Sequence, residues 1–193
     1  LTDEFVYHAA LRGHVGLLQF FLEKGCHPDT SPRGISPLYI ATQNRHVEIV
    51  KVLHEAGADM NIVTTGCYCR YSDNHEISCE KDGYTAFYVA CEHGYMELIL
   101  YFLDVAHIDP CVVHGIGHCL IASLECNKTM REPHATSLEV ITLLLERGVD
   151  INQPDGNGQT VLYAACRDGL LEEIKFLLEH GAKSLMIGPS STM

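Results

Sequence analysis

The chain has 193 residues, of which 47% are apolar, and this is enough for one globular or repeat-built unit with a substantial core. With 25 acidic against 13 basic side chains, the formal net charge is −12, which disfavours nonspecific binding to DNA, RNA or anionic lipid. We therefore expect no nucleic-acid partner, and no membrane insertion, because no apolar run reaches the roughly 18 residues that a membrane helix needs.

The first predicted repeat, residues 3–30, contains two short helices separated by Gly13-His14. Gly25 is placed to end the second helix, because glycine readily adopts the left-handed backbone that follows a helix C-terminus. Four apolar residues of that helix recur at helical spacing: Val15, Leu18, Phe21 and Leu22. The chain begins inside the pattern, at Leu1 and without an initiator Met, so we expect it to be a piece of a longer protein.

The second predicted repeat, residues 31–62, is the most regular. Its first helix begins with the sequence Ser36-Pro37-Leu38-Tyr39-Ile40-Ala41, in which proline is tolerated because the first helical turn leaves its N–H groups unbonded anyway. Its second helix ends at Gly57 and leads into Asp59-Met60-Asn61.

An insertion over residues 63–81 follows, with the sequence VTTGCYCRYSDNHEISCEK. β-Branched and aromatic residues flank Ser72-Asp73-Asn74, a combination that favours two strands joined by a turn. We therefore predict an elongated hairpin between the second and third repeats.

Three more repeats are predicted, at residues 80–110, 111–152 and 153–185. In the third repeat, Ala106 stands where the others have the closing glycine. The fourth is the least regular, because a loop insertion over residues 127–136, which contains Pro133, separates its two helices. The fifth returns to the pattern at Thr160, and the tail 186–193 is predicted to be flexible.

The recurring stretch resembles the ankyrin repeat, whose signature is T-P-L-H-x-A at a period of about 33 residues. The resemblance implies an all-α solenoid of about five helix-turn-helix repeats with β-hairpin loops, one elongated hairpin insertion and one interhelix loop insertion, in a single domain over residues 1–185. Four repeats carry Tyr where the family has His, at Tyr7, Tyr39, Tyr88 and Tyr163. The Tyr hydroxyl is a candidate for the hydrogen bonds with which the family histidine ties adjacent turns.

Nine cysteines are an odd number for a set of disulfides. Cys91, Cys119 and Cys166 fall inside predicted helices, where a thiol packs as a small apolar group. This usage favours free thiols in a reducing compartment, cytoplasmic or nuclear.

Four residues of the predicted hairpin are of types that ligate zinc: Cys67, Cys69, His75 and Cys79. Their spacing differs from the common C-x2-C arrangement, so we favour surface thiols and no cofactor. Structural zinc and a disulfide across the hairpin are the alternatives.

Catalytic motifs are absent from the sequence, which contains no G-x-S-x-G, P-loop or H-E-x-x-H. We therefore predict that the protein is not an enzyme. A site built from a cysteine and a histidine is the alternative.

Two stretches resemble the ankyrin sequence modified by the asparaginyl hydroxylase that acts on hypoxia-inducible factor. Each places an apolar residue between Asp and Asn, as Asp59-Met60-Asn61 and Asp150-Ile151-Asn152. The resemblance implies Asn61 and Asn152 as hydroxylation sites. The alternative, which we favour, is that each Asn is a turn residue whose side chain bonds local backbone.

The resemblance also implies partner contacts from the hairpin tips and from the concave face of the first helices. The matching positions are Arg33, Ile35, Gln43, Asn44, Lys81, Asp82, Tyr84, Glu92, His93, Glu125, Asn157, Gln159, Arg167 and Asp168. On the predicted hairpin, Tyr68, Arg70 and Tyr71 are of residue types enriched in binding hot spots. The sequence thus predicts a monomeric, non-catalytic module that binds a protein partner. The alternatives are a substrate-recruiting adaptor of a ubiquitin ligase and a pathogen effector built on the same scaffold.

Overall fold

The computed structural model describes residues 4–31, 34–65, 83–112, 118–126 and 135–183. These residues contain ten α-helices joined by turns and loops. They are α1 (Glu4–Arg12), α2 (Val15–Glu23), α3 (Pro37–Gln43), α4 (Val47–Glu55), α5 (Ala86–Glu92), α6 (Met96–Asp104), α7 (Cys119–Ser123), α8 (Ser137–Glu146), α9 (Val161–Asp168) and α10 (Leu171–Glu179). These residues contain no β-strand, and none of their helices is both long and apolar enough to cross a bilayer. The predicted all-α repeat fold is confirmed.

The chain groups into two compact units, residues 1–89 and residues 90–193. In the first unit, α1 packs against α2 and α3, and α4 packs against α2 and α3. In the second unit, α7 packs against α8 and α9, and α10 packs against α8 and α9. Within each unit, helices from successive repeats therefore cover each other's apolar faces, as a stack of repeats requires.

Branched apolar side chains and alanines form the core of each unit. Alanines on the first helix of a repeat, Ala41, Ala90 and Ala165, are all 0% exposed, and their small size allows neighbouring helices to approach closely. Fully buried residues of the second helices include Leu18, Val50, Leu53, Leu98, Ile141, Leu144 and Leu177.

A side chain that caps the N-terminus recurs at the start of the first helix of a repeat. Ser36, Thr85 and Thr160 each place a hydroxyl oxygen 3.1–3.3 Å from the backbone N–H three residues later. In the fourth repeat the cap is His118, whose Nδ1 accepts from the backbone N–H of Leu120 at 3.2 Å. Each cap gives an acceptor to one of the N–H groups that a helix start leaves unbonded.

The helix ends follow the predicted glycines, with one exception. Gly57 has φ of 81° and lets the backbone turn sharply, so that the Ala58 N–H reaches the carbonyl of Leu53 at 3.0 Å. In the third repeat the left-handed residue is His107, with φ of 53°, so the assignment of this position to Ala106 was wrong. The turn there is one residue longer, and histidine enters this region more readily than alanine.

Residues four positions after the left-handed residue tie successive turns together. The Asp29 carboxylate accepts from the backbone N–H of Asp59 at 3.0 and 3.2 Å. At the equivalent position Asn152 accepts from the backbone N–H of Lys183 at 2.7 Å through Oδ1. The chain thus contains a repeated inter-turn bond that the sequence had not revealed.

A buried acid occupies a position that is apolar in the other repeats. Glu173 lies eight residues before the closing Gly181, where the second and fourth repeats have Ile49 and Val140. It is 7% exposed and accepts a 2.6 Å hydrogen bond from the Ser137 hydroxyl. This bond joins α10 to the N-terminus of α8, and it satisfies a carboxylate oxygen that burial would otherwise leave without water.

The described end of the interhelix insertion is firmly anchored. Thr136 and Glu139 form a capping box at the start of α8, with the Glu139 carboxylate 2.7 Å from the Thr136 N–H. The preceding Ala135 donates its N–H to the carbonyl of Gly94 at 3.2 Å. Residues 127–134 of the predicted loop lie outside the described residues.

Candidate partner-binding surface

The turn before α9 is ordered by one carboxylate. Asp155 Oδ1 accepts from the backbone N–H groups of Asn157 at 2.9 Å and Gln159 at 2.8 Å. The Asp155 N–H in turn donates to the carbonyl of Gln159 at 2.8 Å, which closes the turn. Asn157 is exposed at its tip and Gln159 is half-buried at its base, so two predicted contact residues project from a fixed backbone.

The helix α9 continues this surface. Its buried face carries Leu162 and Ala165, while Tyr163 is 38% exposed and the Arg167 side chain is 50% exposed. Because residues four apart lie on the same side of a helix, Tyr163 and Arg167 are neighbours. We call the set Asn157, Gln159, Tyr163, Arg167 and Asp168 the α9 surface.

Arg167 is held in one orientation by two partners. Its Nε and Nη2 donate to the Asp168 carboxylate at 2.8 and 3.2 Å, and its Nη1 donates to Gln159 Oε1 at 3.3 Å. The hydrogen bond to Asp168 raises the pKa of the Arg167 guanidinium, with a smaller contribution in the same direction from the charge of Glu125. The structure therefore joins three predicted residues by direct bonds and places a fourth, Glu125, within their electrostatic reach.

Tyr163 was missed as a contact residue, because it had been interpreted only as a replacement for the family histidine. The available signal was its spacing of four residues from Arg167. The prediction that Cys166 packs in the core was wrong, since this residue is exposed beside Arg167 in sequence.

Two predicted residues of the third repeat are half-buried near the end of α5. The rings of His93 and Tyr95 stack at 5.2 Å between centroids, and His93 Nε2 lies 4.0 Å from Glu92 Oε2. The predicted contact residues Glu92 and His93 are thus partly exposed, but burial, and for His93 the stacking on Tyr95, limits how far their side chains can reach.

In the first unit the predicted positions differ in their exposure. Asn44 is exposed and donates through Nδ2 to the carbonyl of Ile40 at 2.8 Å, whereas Gln43 is half-buried. Ile35 is 2% exposed and belongs to the core, so its prediction as a contact residue is corrected. An apolar side chain directly before the Ser36 cap packs inward, because this point of the turn already faces the stacked helices.

The two described ends of the predicted hairpin insertion meet beside Tyr84. The Gly83 N–H donates to the Thr64 carbonyl at 2.7 Å, and the Thr64 N–H donates to the Tyr84 carbonyl at 2.8 Å. The Tyr84 ring packs 4.3 Å from that of Tyr88, between centroids. The chain therefore leaves and re-enters the repeat stack at adjacent points.

Several predicted residues lie outside the described residues. These are the contact candidates Arg33, Tyr68, Arg70, Tyr71, Lys81 and Asp82, and the zinc candidates Cys67, Cys69, His75 and Cys79. Elsewhere in the chain, the described His, Cys, Asp and Glu residues form no group of three or more that could hold a metal ion. The zinc hypothesis stays a prediction.

The described cysteines are free, and several are chemically quiet. Burial raises the pKa of the Cys119 and Cys126 thiols to about 12, and it raises that of Cys91 as well. A catalytic cysteine needs the opposite shift, because the thiolate is the nucleophile. These three thiols are therefore suited to packing and not to covalent catalysis.

The two asparagines of the proposed hydroxylation sites occupy equivalent turns. In each case the backbone N–H of the Asn donates at 2.9 Å to the Asp two residues earlier, Asp59 or Asp150. The Asn152 side chain bonds the next turn at both ends, accepting from the Lys183 N–H and donating to the Gly181 carbonyl at 3.4 Å. The Asn152 side chain therefore bonds the backbone of the following turn instead of its own local backbone. The hydroxylation of Asn61 and Asn152 stays a prediction.

Comparison with known families gives matches over most of the chain. A model described as ankyrin repeats in three copies matches residues 2–64 and 133–190, which include the whole α9 surface. A model described as a single ankyrin repeat matches residues 82–112.

Three curated proteins are similar to the chain. The fowlpox virus ankyrin repeat protein FPV022 is 28% identical over 148 residues, which cover 77% of this chain and 20% of the relative. The ankyrin repeat and KH domain-containing protein mask-1 of Caenorhabditis elegans is 24% identical over 176 residues, which cover 89% of this chain and 7% of the relative. A second fowlpox virus ankyrin repeat protein, FPV230, is 28% identical over 182 residues, covering 83% of this chain and 92% of the relative. The chain therefore spans a small part of the first two relatives and most of the third.

Proposed function

The chain belongs to the ankyrin repeat family, and we propose that it is a non-catalytic module that binds a protein partner through the α9 surface and the tips of its turns. Proteins of this family generally act as protein–protein interaction modules. The observation that carries the proposal is the α9 surface itself, where Tyr163 and Arg167 are exposed on a backbone that internal hydrogen bonds already hold in place.

A side chain that is already ordered in the free protein favours affinity, because less conformational entropy is lost on binding. Immobilising a long side chain on association costs about 0.5–1.5 kcal/mol. Arg167 is already bonded to Asp168 and Gln159, so part of this ordering takes place on folding instead of on binding. Tyr and Arg are also the residue types that most often dominate interface energetics, since they combine apolar area with directional hydrogen bonds.

The same surface offers both acceptors and donors to a partner. Glu125 adds a negative charge near Arg167, and the chain as a whole carries a formal charge of −12. A partner with exposed basic and amide groups therefore complements this surface better than an acidic partner, and long-range attraction would speed its association.

Alanine variants of the α9 surface test the proposal. The full chain is used to capture its partner, and the affinity of the purified pair is then measured by calorimetry. Tyr163→Ala and Arg167→Ala are expected to weaken binding by at least about tenfold each, in the range of hot-spot residues. Lys175→Ala on α10 is the matched control, because Lys175 is exposed and bonds only Glu172 in the described contacts. Unchanged affinity in both test variants would contradict the proposal.

The hairpin insertion is proposed as a second contributor to affinity. It leaves the repeat stack at Thr64 and returns at Gly83. Deleting residues 65–79 tests this contribution, and an unchanged affinity of the shortened protein would refute it. Metal analysis of the purified chain, with and without this deletion, tests the zinc hypothesis separately.

A further inference from the structure

A buried histidine begins α7, at a position where three other repeats have a hydroxyl. His118 is 2% exposed, and its Nδ1 accepts from the Leu120 N–H at 3.2 Å. The equivalent caps Ser36, Thr85 and Thr160 use oxygens that do not titrate in the ordinary pH range. The fourth repeat alone among these four starts its first helix on a group that can change charge near neutral pH.

The cap bond fixes which form of the ring is compatible with the fold. An Nδ1 that accepts a hydrogen bond carries no proton, so the neutral ring has its proton on Nε2. A second proton must go to Nδ1, where it would point at the Leu120 N–H, so the cap would be lost and two donors would face each other. Nε2 is itself buried and has no hydrogen bond of good geometry within the described residues, although Gln153 lies beside it.

The surroundings of the ring also favour its neutral form. Burial is the largest influence and lowers the pKa of His118, while Gln153, Asp155 and Asp150 act in the opposite direction. The two carboxylates are the charged groups that influence His118 from the segment between α8 and α9, the helices packed on α7. Both already accept backbone N–H groups of their own turns, so neither is free to rotate fully toward a charged ring.

We propose that His118 makes the start of the fourth repeat acid-sensitive: a proton taken from solvent at Nδ1 removes the cap acceptor, and α7 opens. This helix has five residues, and one so short does not persist without its cap and its packing. Glu125 lies two residues after the end of α7, so opening would also disturb the edge of the α9 surface. The inference concerns folding and stands whether or not the α9 surface binds a partner.

The sign of the effect follows from proton binding. The opened segment binds a proton at the ordinary histidine pKa of about 6.5, whereas the closed segment resists it. The stabilising effect of neutral His118 is therefore complete above about pH 6.5 and is lost as the pH falls through and below that value. Between pH 7.5 and 5.5 the opening equilibrium should rise by up to about tenfold, the limit for one proton bound only in the open form.

Hydrogen exchange of the full chain tests the proposal. Exchange over residues 118–126 is measured at pH 7.5 and 5.5 and corrected for the intrinsic chemical rate. The wild type should show opening that increases several-fold on acidification, whereas His118→Thr, which introduces the cap used at Thr85 and Thr160, should lose this pH dependence. His14→Gln is the matched control, because His14 also precedes a helix but is exposed and makes no side-chain cap bond, and it should respond as the wild type does.

An NMR titration of the wild type keeps the proposal testable if the threonine variant does not fold. The His118 ring should titrate below about 6.5, and the Leu120 amide should shift with the same midpoint. A ring pKa at or above 6.5, equal protection of α7 at the two pH values, or an unchanged response in His118→Thr would each overturn the proposal.

Discussion

Replacing Asn152 by alanine should weaken the link between the last two repeats. The substitution removes both inter-turn bonds of the side chain, the 2.7 Å bond from the Lys183 N–H and the 3.4 Å bond to the Gly181 carbonyl. It leaves the Asn152 backbone N–H bonded to Asp150, so the local turn should survive. The loss should therefore appear in the contact between turns and not in the turn itself.

The expected loss is about 1 kcal/mol. A hydrogen bond contributes roughly 0.5–1.5 kcal/mol to stability after the exchange with water is counted. The 3.4 Å bond is long enough to contribute little, and Asn152 is only half-buried, so water can partly replace either partner. Asn152→Asp keeps the acceptor for Lys183 and should lose less than about 0.5 kcal/mol. The first repeat already uses a carboxylate in this way at Asp29.

Urea unfolding gives the global change, and hydrogen exchange over residues 171–183 gives the local one. Asn152→Ala should raise the local opening equilibrium by about fivefold, which is the equivalent of 1 kcal/mol, and should lower the unfolding midpoint. Asn152→Asp serves as the matched control. If alanine behaves as the wild type does, or if aspartate is as damaging as alanine, the assignment of these bonds is wrong.

Three further predictions concern stability and thiol chemistry. Gly94→Ala should destabilise the protein by about 2–4 kcal/mol, because φ is 63° and the new Cβ would lie 2.6 Å from a backbone oxygen. Gly148 also has a positive φ but has open space around it, so Gly148→Ala should cost only about 1 kcal/mol. Equal melting temperatures of the two variants would contradict this prediction. Thr136→Ala should remove the capping box of α8 and lower the free energy of unfolding by about 1 kcal/mol, whereas no change in a urea titration would show that the cap contributes nothing. In the native protein at pH 8, iodoacetamide should label exposed Cys166 and leave buried Cys119, with its pKa of about 12, unlabelled until unfolding; mass spectrometry of peptides would expose the reverse order.

The repeat pattern predicted most of the fold because its signals are local. Apolar spacing fixed the faces of the helices, and the closing glycine at Gly57 marked a helix end for a reason that one residue carries by itself. The third repeat shows the limit of this reasoning. Its turn is one residue longer, so the spacing of the other repeats predicted the left-handed residue at Ala106 instead of His107.

Burial depends on neighbours that a single repeat does not contain. Ile35 sits next to a predicted turn tip, yet it packs inward because the adjacent helices cover it. Glu173 is of a residue type that is seldom buried, but the Ser137 hydroxyl, 36 positions earlier, gives it a partner inside the stack. Bonds between residues so far apart have no sequence signature that could have been recognised from one chain.

The candidate surface was predicted only in part, because the exposure of a side chain also depends on neighbouring helices. Arg167, Asp168 and Gln159 were named from their repeat positions, and the structure joins them by hydrogen bonds. Tyr163 was missed, because its outward direction follows from which side of α9 is covered by α7 and α10. His118 was missed as well, since only the folded structure shows that its ring replaces a hydroxyl cap.

Site-specific photo-crosslinking tests the central claim most directly. A photoreactive amino acid is placed at Asn157, on the tip of the α9 surface, and in a second variant at Glu172, which is exposed on α10. Each full-length variant is irradiated with the captured partner, and the crosslinked peptides are identified by mass spectrometry. A partner that binds through the α9 surface should crosslink from position 157 and not from position 172. Crosslinking from position 172 alone would contradict the assignment of the binding surface.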